Sequence, residues 1–398
     1  MNEPDDGARA GVIAATNPWP GLAAAISAAT IVGITYGGVV PLLSLNLEHL
    51  GVDPVWNGLM GAMPSAAMIC LSAFIPLIVR RLGAARAVYA STALASVILL
   101  LFPVVTYVPA WFVLRFLMTL GIGLPWIVSE TWINALAPAE KRGTVMGFYG
   151  TVLCVGISIG PLMISFLGSQ GVLPFAVIAM VLLVAVFPIA IARRSGAPDL
   201  GQHPPMRLRQ AYSQAPLVML AALVNGAIWL AVFSLLPIYS LRSGLMQSQA
   251  TILLTAYVFG NIGFQLPLGR LLDRWSLPLV LAICGVFQFM GAVALPFVVR
   301  EGTVALLALA IWGGTLGGIY IAGLTLLGRS FTTAQLTGAA SAQTLAFETG
   351  AILGPLSAGL GLHAWNPNGM LVVVCVAGTV LACLGLHMHI AARHSSSP

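Results

Sequence analysis

Long apolar stretches recur along the whole chain, separated by short segments that hold most of the charged residues. A helix needs about 20 mainly apolar residues to cross the roughly 30 Å hydrocarbon core of a bilayer. Twelve stretches of this kind predict twelve transmembrane helices. Six lie in the first half, at 20–46, 55–79, 87–107, 110–135, 144–168 and 171–192. Six lie in the second half, at 214–241, 247–271, 277–299, 303–327, 338–363 and 368–390.

The composition agrees with a fold whose solvent is lipid. Hydrophobic residues make up 59% and charged residues 7% of the chain, whereas soluble domains carry about 25% charged residues. The 43 glycines and 25 prolines are interpreted as sites of close helix packing and bending. All five cysteines lie within predicted spans, so they are expected to be small core residues without disulfides.

The basic residues predict the orientation. With a cytoplasmic N-terminus, fourteen of the seventeen Lys and Arg residues fall on the cytoplasmic side, and only Arg242 and Arg300 fall outside. Cytoplasmic loops carry such an excess, so both termini are expected inside. Because this charge is spread along one membrane face, we expect no binding of nucleic acid.

The longest connection, 193–213, contains several glycines and prolines and four arginines. It divides the chain into three predicted units. These are an N-terminal six-helix bundle at 1–192, a cytoplasmic linker at 193–213 and a C-terminal six-helix bundle at 214–398.

The two halves contain three matching segments in the same order. Residues 40–45 (VPLLSL) match 236–241 (LPIYSL), 76–83 (PLIVRRLG) match 269–276 (GRLLDRWS), and 156–162 (GISIGPL) match 350–356 (GAILGPL). The offsets are 196, 193 and 194 residues. Six spans separate the copies, so both run in the same direction through the membrane. The sequence therefore predicts a parallel repeat about an axis near the membrane normal.

These features resemble the major facilitator superfamily over nearly the whole chain. The loop beginning at Gly269 follows the family's Gly-x-Leu-Ala-Asp-Arg motif, with Asp273 and Arg274 at its charged positions. Arg115 with Gly121 is similar to the span-four arginine motif, and the two Gly-x-x-x-Gly-Pro runs are similar to a span-five motif of antiporters. The segment 129–134 (SETWIN) resembles a bacterial subgroup of permeases.

Two departures from the family pattern limit what it implies. The first-half loop has Arg80 where the motif has aspartate and Ala84 where it has a basic residue. The span-five run has Met163 and Ile164 where drug antiporters have paired glycines. The motif therefore does not establish export by antiport.

The resemblance implies an all-α membrane protein in which two six-helix bundles enclose a central cavity lined by spans one, four, seven and ten. It implies a permease of the bacterial cell inner membrane. Embedded polar residues are rare because a charge at mid-membrane costs about 2.5 to 3.5 kcal/mol on insertion scales. They are therefore the candidates for function.

Span four carries a polar stripe of this kind. Successive members are three or four residues apart, and they are Arg115, Thr119, Ile122, Trp126, Glu130 and Asn134. Glu130 is predicted either to couple proton binding to opening and closing or to pair with Arg80, Arg81 or Arg142. Arg115 is predicted either to bind an anionic substrate or to fix a neighbouring helix.

The second half contributes a second acid and further polar groups. Glu348 lies near the middle of span eleven and is predicted either to couple protons or to bond to Thr344 or Gln343. Other candidates either bind the solute or hold helices together by polar contacts. They are Asn225 and Trp229 in span seven, Tyr257, Asn261 and Gln265 in span eight, and, from the family's geometry, Tyr36 and Tyr320. Gly313, Gly314, Gly317 and Gly318 are expected to allow close packing.

The sequence thus predicts a monomeric secondary transporter for a small organic solute, such as a flavin-like vitamin, a drug or a metabolite, driven by protons. The alternative is a membrane protein of the same fold that binds or senses a ligand without transport. An enzyme is not expected, because no histidine is embedded beside either acid. No cofactor and no metal are expected, and His387, His389 and His394 are interpreted as a solvated tail.

Overall fold

A computed structural model of the chain describes residues 19–136, 142–192, 208–264, 275–331 and 333–395. Within these ranges the chain forms fourteen helices and no β-strand. The first half contains α1 (Trp19–His49), α2 (Pro54–Leu82), α3 (Ala84–Leu101), α4 (Val108–Leu136), α5 (Arg142–Leu167), α6 (Leu173–Val184) and α7 (Val186–Ala192). The second half contains α8 (Leu208–Gln214), α9 (Pro216–Arg242), α10 (Gln247–Gly263), α11 (Leu277–Val298), α12 (Thr303–Ser330), α13 (Thr333–Ala364) and α14 (Gly369–Ser395).

With α6 and α7 together forming span six, twelve predicted spans each correspond to described helices. The remaining helix, α8, lies at the end of the predicted linker. Eight of the described helices are long and apolar enough to cross a membrane, and shorter apolar helical segments lie at 85–101 and 173–188. The predicted end of span three at 107 is wrong, because α3 ends at Leu101. Phe102 keeps helical backbone angles, but Pro103 directly after it lacks the backbone N–H that the next helical hydrogen bond needs. The predicted end of span eight lies outside the described residues, as do 193–207 of the linker.

The outer surface is apolar, as a lipid environment requires. Phe166, Phe187 and Phe297 are 81%, 70% and 78% exposed, and soluble monomers rarely expose apolar groups in such numbers. The five cysteines are free. The expectation that they are core residues is wrong for Cys70 and Cys383, which are exposed on this apolar surface.

The internal repeat is confirmed by corresponding helix pairs. In the first half α1 packs on α5, and in the second half α9 packs on α13. Gly160 faces the backbone of Gly37, and Gly354 faces the backbone of Ala227. Each Gly-x-x-x-Gly-Pro run thus lets two helix backbones approach where a side chain would not fit.

The two bundles pack against each other through α2 on α13, α5 on α10, and α1 on α9. Small residues make this approach possible: Gly58 of α2 faces the carbonyl of Pro355 and the Cα of Gly359 on α13. The interface between the repeats is therefore formed by helix backbones as well as side chains.

The loops at 50–53, 168–172, 243–246 and 365–368 lie at the end of the bundles opposite Trp19 and Ser395, the first and last described residues. We call this end the distal face. Here Arg242 of α9 forms a two-point ion pair with Glu48 of α1, with Nε to Oε1 at 2.7 Å and Nη2 to Oε2 at 2.9 Å. The same guanidinium also donates to Asn366. The pair ties the C-terminal bundle to the N-terminal one.

Two further polar contacts join the bundles at the distal face. His363 Nδ1 at the end of α13 lies 2.7 Å from Asp53 Oδ2, whose other oxygen caps the start of α2. Ser169 donates to Gln247 at the start of α10, with the two oxygens 2.9 Å apart. The distal face is therefore closed by contacts from both halves.

Candidate functional site

Six aromatic side chains form a continuous series across the middle of the molecule. We call it the aromatic row. Neighbouring ring centroids are 5.3 to 6.5 Å apart, within the range at which aromatic pairs attract. In order, its members are Trp126 of α4, Tyr36 of α1, Phe233 and Trp229 of α9, Tyr257 of α10 and Trp312 of α12.

The row crosses the interface between the bundles at Tyr36 and Phe233. These rings are almost parallel, at 5°, with centroids 5.9 Å apart. Phe233 stacks in turn on Trp229, one helical turn away, at 7° and 5.3 Å. Asn225, Trp229 and Phe233 recur every four residues and so share one face of α9. Phe233 was not among the sequence candidates, although its position four residues after Trp229 places it on the same helix face.

Arg115 lies on α4 beside this row. The residue is 2% exposed, and its charge lies within electrostatic range of the Tyr36 hydroxyl. Its Nε has no hydrogen-bond partner among the described residues. Neither ion pair found among those residues includes it. Arg115 is thus a buried cation without a carboxylate partner in the described part of the chain.

Glu348 lies on the opposite side of the interface, on α13. It also lies within electrostatic range of Tyr36. Ser65 of α2, itself 3% exposed, lies beside the Glu348 side chain and makes a polar contact with it. Thr344, one of the partners considered from the sequence, donates instead to the carbonyl of Ala340. The contact with Glu348 therefore joins two bundles rather than two turns of one helix, and Ser65 was not a sequence candidate.

Glu130 belongs to a second group of polar residues on α4, α5 and α12. It lies within electrostatic range of Tyr149 and Tyr320, and both tyrosines are also near Cys154. Tyr320 is 48% exposed although protein surrounds it, as expected for a side chain that lines an opening. The side chains of Arg80 and Arg142, possible structural partners of Glu130, lie outside the described residues.

Several buried polar atoms along the second half of the site have no partner among the described residues. They include Asn225 Oδ1, the Tyr257 hydroxyl and Trp312 Nε1, on residues that are 6%, 0% and 3% exposed. Buried polar groups are usually hydrogen-bonded. These three atoms are therefore buried polar groups whose hydrogen bonds are unmade within the described part of the chain.

The glycines of α12 serve packing, as predicted for Gly313 and Gly317. Gly313 faces the backbone of Tyr257 and Gly317 that of Asn261, which brings α12 against α10. Gly314 meets the ring of Phe264. This close approach places Tyr257 and Trp312 in contact.

The structure therefore brings Tyr36, Trp126, Trp229 and Tyr257 into one row, with Arg115 and Glu348 beside it. Glu130 and Tyr320 form the second group. Asn134 lies in the last turn of α4. The remaining candidates, Gln265, Asp273 and Arg274, lie outside the described residues.

Two repeated six-helix bundles with polar and aromatic groups at their interface define a membrane transporter fold. The chain belongs to the Major Facilitator Superfamily, whose family model matches residues 25–252 and 243–396. The resemblance noted in the sequence is thereby confirmed.

Similar proteins agree with this assignment. YfkF of Bacillus subtilis, described as an uncharacterized MFS-type transporter, is 24% identical over 341 residues, covering 83% of this chain and 85% of its own. YcaD of Escherichia fergusonii, described in the same way, is 22% identical over 369 residues, covering 90% and 92%.

Solved structures show the same fold. The nucleoside transporter NupG superimposes with a TM-score of 0.72 at 15% identity, covering 94% of this chain and 99% of that one. A D-xylose-proton symporter gives 0.67 at 17% identity, covering 93% and 97%.

Proposed function

We propose that this secondary transporter moves a small organic solute across the bacterial cytoplasmic membrane by alternating access, driven by protons. The halves 1–192 and 214–398 rock about the interface and expose one site to each side in turn. The observation that carries this proposal is the aromatic row, because its Tyr36 and Phe233 belong to different bundles. A solute bound there contacts both halves and is sensitive to their relative motion.

The proposed solute site consists of residues from both bundles, grouped around the row and the polar atoms beside it. Asn134 and Gln265 are included from the sequence pattern and Tyr320 from its position near Glu130. The set is Tyr36, Arg115, Trp126, Asn134, Asn225, Trp229, Tyr257, Asn261, Gln265 and Tyr320. Asp273 and Arg274 are proposed to gate the opposite end through the family's loop motif.

Proton coupling is assigned to Glu130 and Glu348. Glu348 is supported by its polar contact with Ser65 on the other bundle, because binding or release of a proton changes a contact across the interface. Glu130 is supported by its place near Tyr320, whose side chain is half-exposed although protein surrounds it. A protonated carboxyl group also avoids the cost of burying a charge.

The membrane orientation proposed here keeps both termini in the cytoplasm and places the distal face outside. It follows from the charge distribution of the loops. One chain contains both halves of the repeat, which supports a monomer as the transporting unit. The family and the fold point to transport rather than catalysis.

Counterflow in liposomes tests the proposal. Purified protein is reconstituted into vesicles preloaded with one unlabelled solute from a panel of vitamins, organic acids, sugars, amino acids and nucleosides, and uptake of the labelled solute is followed. We expect transient accumulation that depends on the internal solute. Accumulation that depends on an inward proton gradient then establishes the coupling. Saturable binding to the purified protein without exchange would favour the alternative, a non-transporting sensor of the same fold.

A further inference from the structure

The two ionisable groups beside the aromatic row, Arg115 and Glu348, differ in whether their charge can be neutralised. Arg115 stays cationic at physiological pH, because a guanidinium group does not lose its proton in proteins. Glu348 can be neutralised by a proton. Among the described residues, no carboxylate lies within 4.0 Å of the Arg115 guanidinium. The permanent charge at this end of the row is therefore positive.

Arg115 is also positioned to bind an anion. A buried charge without a partner is costly, and the free energy is recovered when a counter-charge with hydrogen-bonding oxygens approaches. The residue is 2% exposed, and its Nε–H has no acceptor in the described part of the chain. A planar guanidinium matches the two oxygens of a carboxylate. A carboxylate on the solute would complete this site.

The rings next to Arg115 select the rest of the solute. Tyr36, Phe233 and Trp229 present nearly parallel faces, with interplanar angles of 5° and 7°. Phe233 is fully buried, whereas Tyr36 and Trp229 are only partly covered by protein. Parts of their surfaces are thus open to a flat ring, which gains both apolar burial and stacking. Asn225 Oδ1 and the Tyr257 hydroxyl can bond to heteroatoms of that ring.

We propose that the solute is a planar aromatic or heteroaromatic carboxylate, with its ring against Tyr36 and Trp229 and its carboxylate towards Arg115. The proposal rests on the proposed transport function, whose site it uses. It predicts that ring and negative charge are both required. A cationic aromatic compound would instead need Glu348 in its ionised form.

Three probe compounds separate the contribution of the aromatic ring to binding from that of the negative charge. Indole-3-acetate has the ring and the negative charge, tryptamine has the same ring with a positive charge, and acetate has the charge without the ring. Binding to the purified, detergent-solubilised protein is measured by isothermal titration calorimetry and checked by the rise in melting temperature. We expect indole-3-acetate to bind at least tenfold more tightly than either of the other two probes.

Variants assign the two contacts. Arg115→Gln should weaken indole-3-acetate binding at least tenfold, and Trp229→Leu should weaken it while retaining the preference for the anion. Arg86→Gln removes an equal charge from an exposed position and serves as the matched control, with unchanged affinity. The wild-type preference among the three probes decides the question even if Arg115→Gln does not fold.

The proposal is overturned if tryptamine binds more tightly than indole-3-acetate, if acetate binds equally well, or if none of the three binds. Counterflow of labelled indole-3-acetate in liposomes separates this failure from failure of the transport function. Specific binding without counterflow contradicts transport but retains the ligand class. Counterflow of a non-aromatic or cationic solute, with no indole-3-acetate binding, retains transport and removes the ligand class.

Discussion

The ion pair between Glu48 and Arg242 is expected to hold the distal face closed. It joins the end of α1 to the end of α9, and each side chain belongs to a different bundle. Opening the distal face requires these helix ends to separate, so the pair is present in the closed state and absent in the open one. Substitution of Arg242 by Gln should therefore shift the equilibrium towards distal opening.

The size of this shift follows from the geometry of the pair. Two charge-assisted hydrogen bonds of 2.7 and 2.9 Å form between side chains that are 20% and 17% exposed. Exposed ion pairs contribute about 0.2 to 1 kcal/mol, and hydrogen bonds to charged groups contribute about 1.5 to 3 kcal/mol. Because this pair is partly screened by water, we expect a loss of about 1 to 2 kcal/mol. That corresponds to a change of about 5- to 30-fold in the ratio of closed to open molecules.

Double electron–electron resonance between two spin labels measures the ratio of closed to open molecules through the distribution of distances between the labels. Leu50 and Met246 lie on opposite bundles at the distal face and are 58% and 67% exposed, so cysteines at these positions can be labelled. The five native cysteines are first replaced. Arg242→Gln should increase the population at long distances. The doubly exchanged variant, Glu48→Arg with Arg242→Glu, should restore the short distance.

Either of two results would refute this reasoning. The first is a distance distribution that Arg242→Gln leaves unchanged. The second is failure of the exchanged pair to reverse the effect, which would show that the arginine acts through its other bond, to Asn366. The variant Arg300→Gln is the control, because its guanidinium donates to Ser243 within the same bundle.

Three other predictions concern coupling, packing and orientation. Glu130→Gln and Glu348→Gln should differ, with at least one abolishing uphill transport in liposomes while solute exchange continues. Gly226→Ala should lower the melting temperature, because a methyl group there meets a carbonyl of α13 and such overpacking costs about 1 to 3 kcal/mol. The matched change Gly150→Ala, where an added methyl group meets no side chain or neighbouring helix within 4 Å among the described residues, should be neutral or slightly stabilising. A cysteine at Met246 should react with a membrane-impermeant maleimide added to intact cells.

The contrary outcomes are equally specific. Wild-type accumulation in both glutamine variants would remove these carboxyl groups from the coupling mechanism. Equal melting temperatures for Gly226→Ala and Gly150→Ala would contradict the close packing of α9 and α13. A cysteine at Met246 that reacts only after the cells are opened would reverse the orientation inferred from the loop charges.

Much of the fold could be predicted from local features of the sequence. The length of the apolar stretches determined the number of crossings, because one bilayer thickness corresponds to one helix length. The end of α3 was missed because the apolar stretch continues through Phe102 and Val104. Pro103 within it lacks the backbone N–H that a helical hydrogen bond needs. The exposed Cys70 and Cys383 were missed because lipid accepts apolar side chains on the outside.

The candidate site was only partly accessible from the sequence. Spacing along α4 identified Arg115 and Glu130 as members of one stripe, since helical periodicity is a local property. Their partners come from other helices. Ser65 is separated from Glu348 by most of the chain, and the contact between them depends on how α2 packs on α13.

By itself the sequence determined a lipid-embedded, twelve-span, duplicated chain. Hydropathy, loop charge and repeat spacing are all properties of short sequence segments, so they do not depend on how the helices pack. Only the tertiary structure decided that Tyr36 stacks on Phe233 across the interface, that Arg115 has no carboxylate beside it in the described part of the chain, and that Glu48 pairs with Arg242 at the distal face. The physical reason is that each of these contacts joins helices whose rotation and depth are set by mutual packing. No single segment of the chain contains that information.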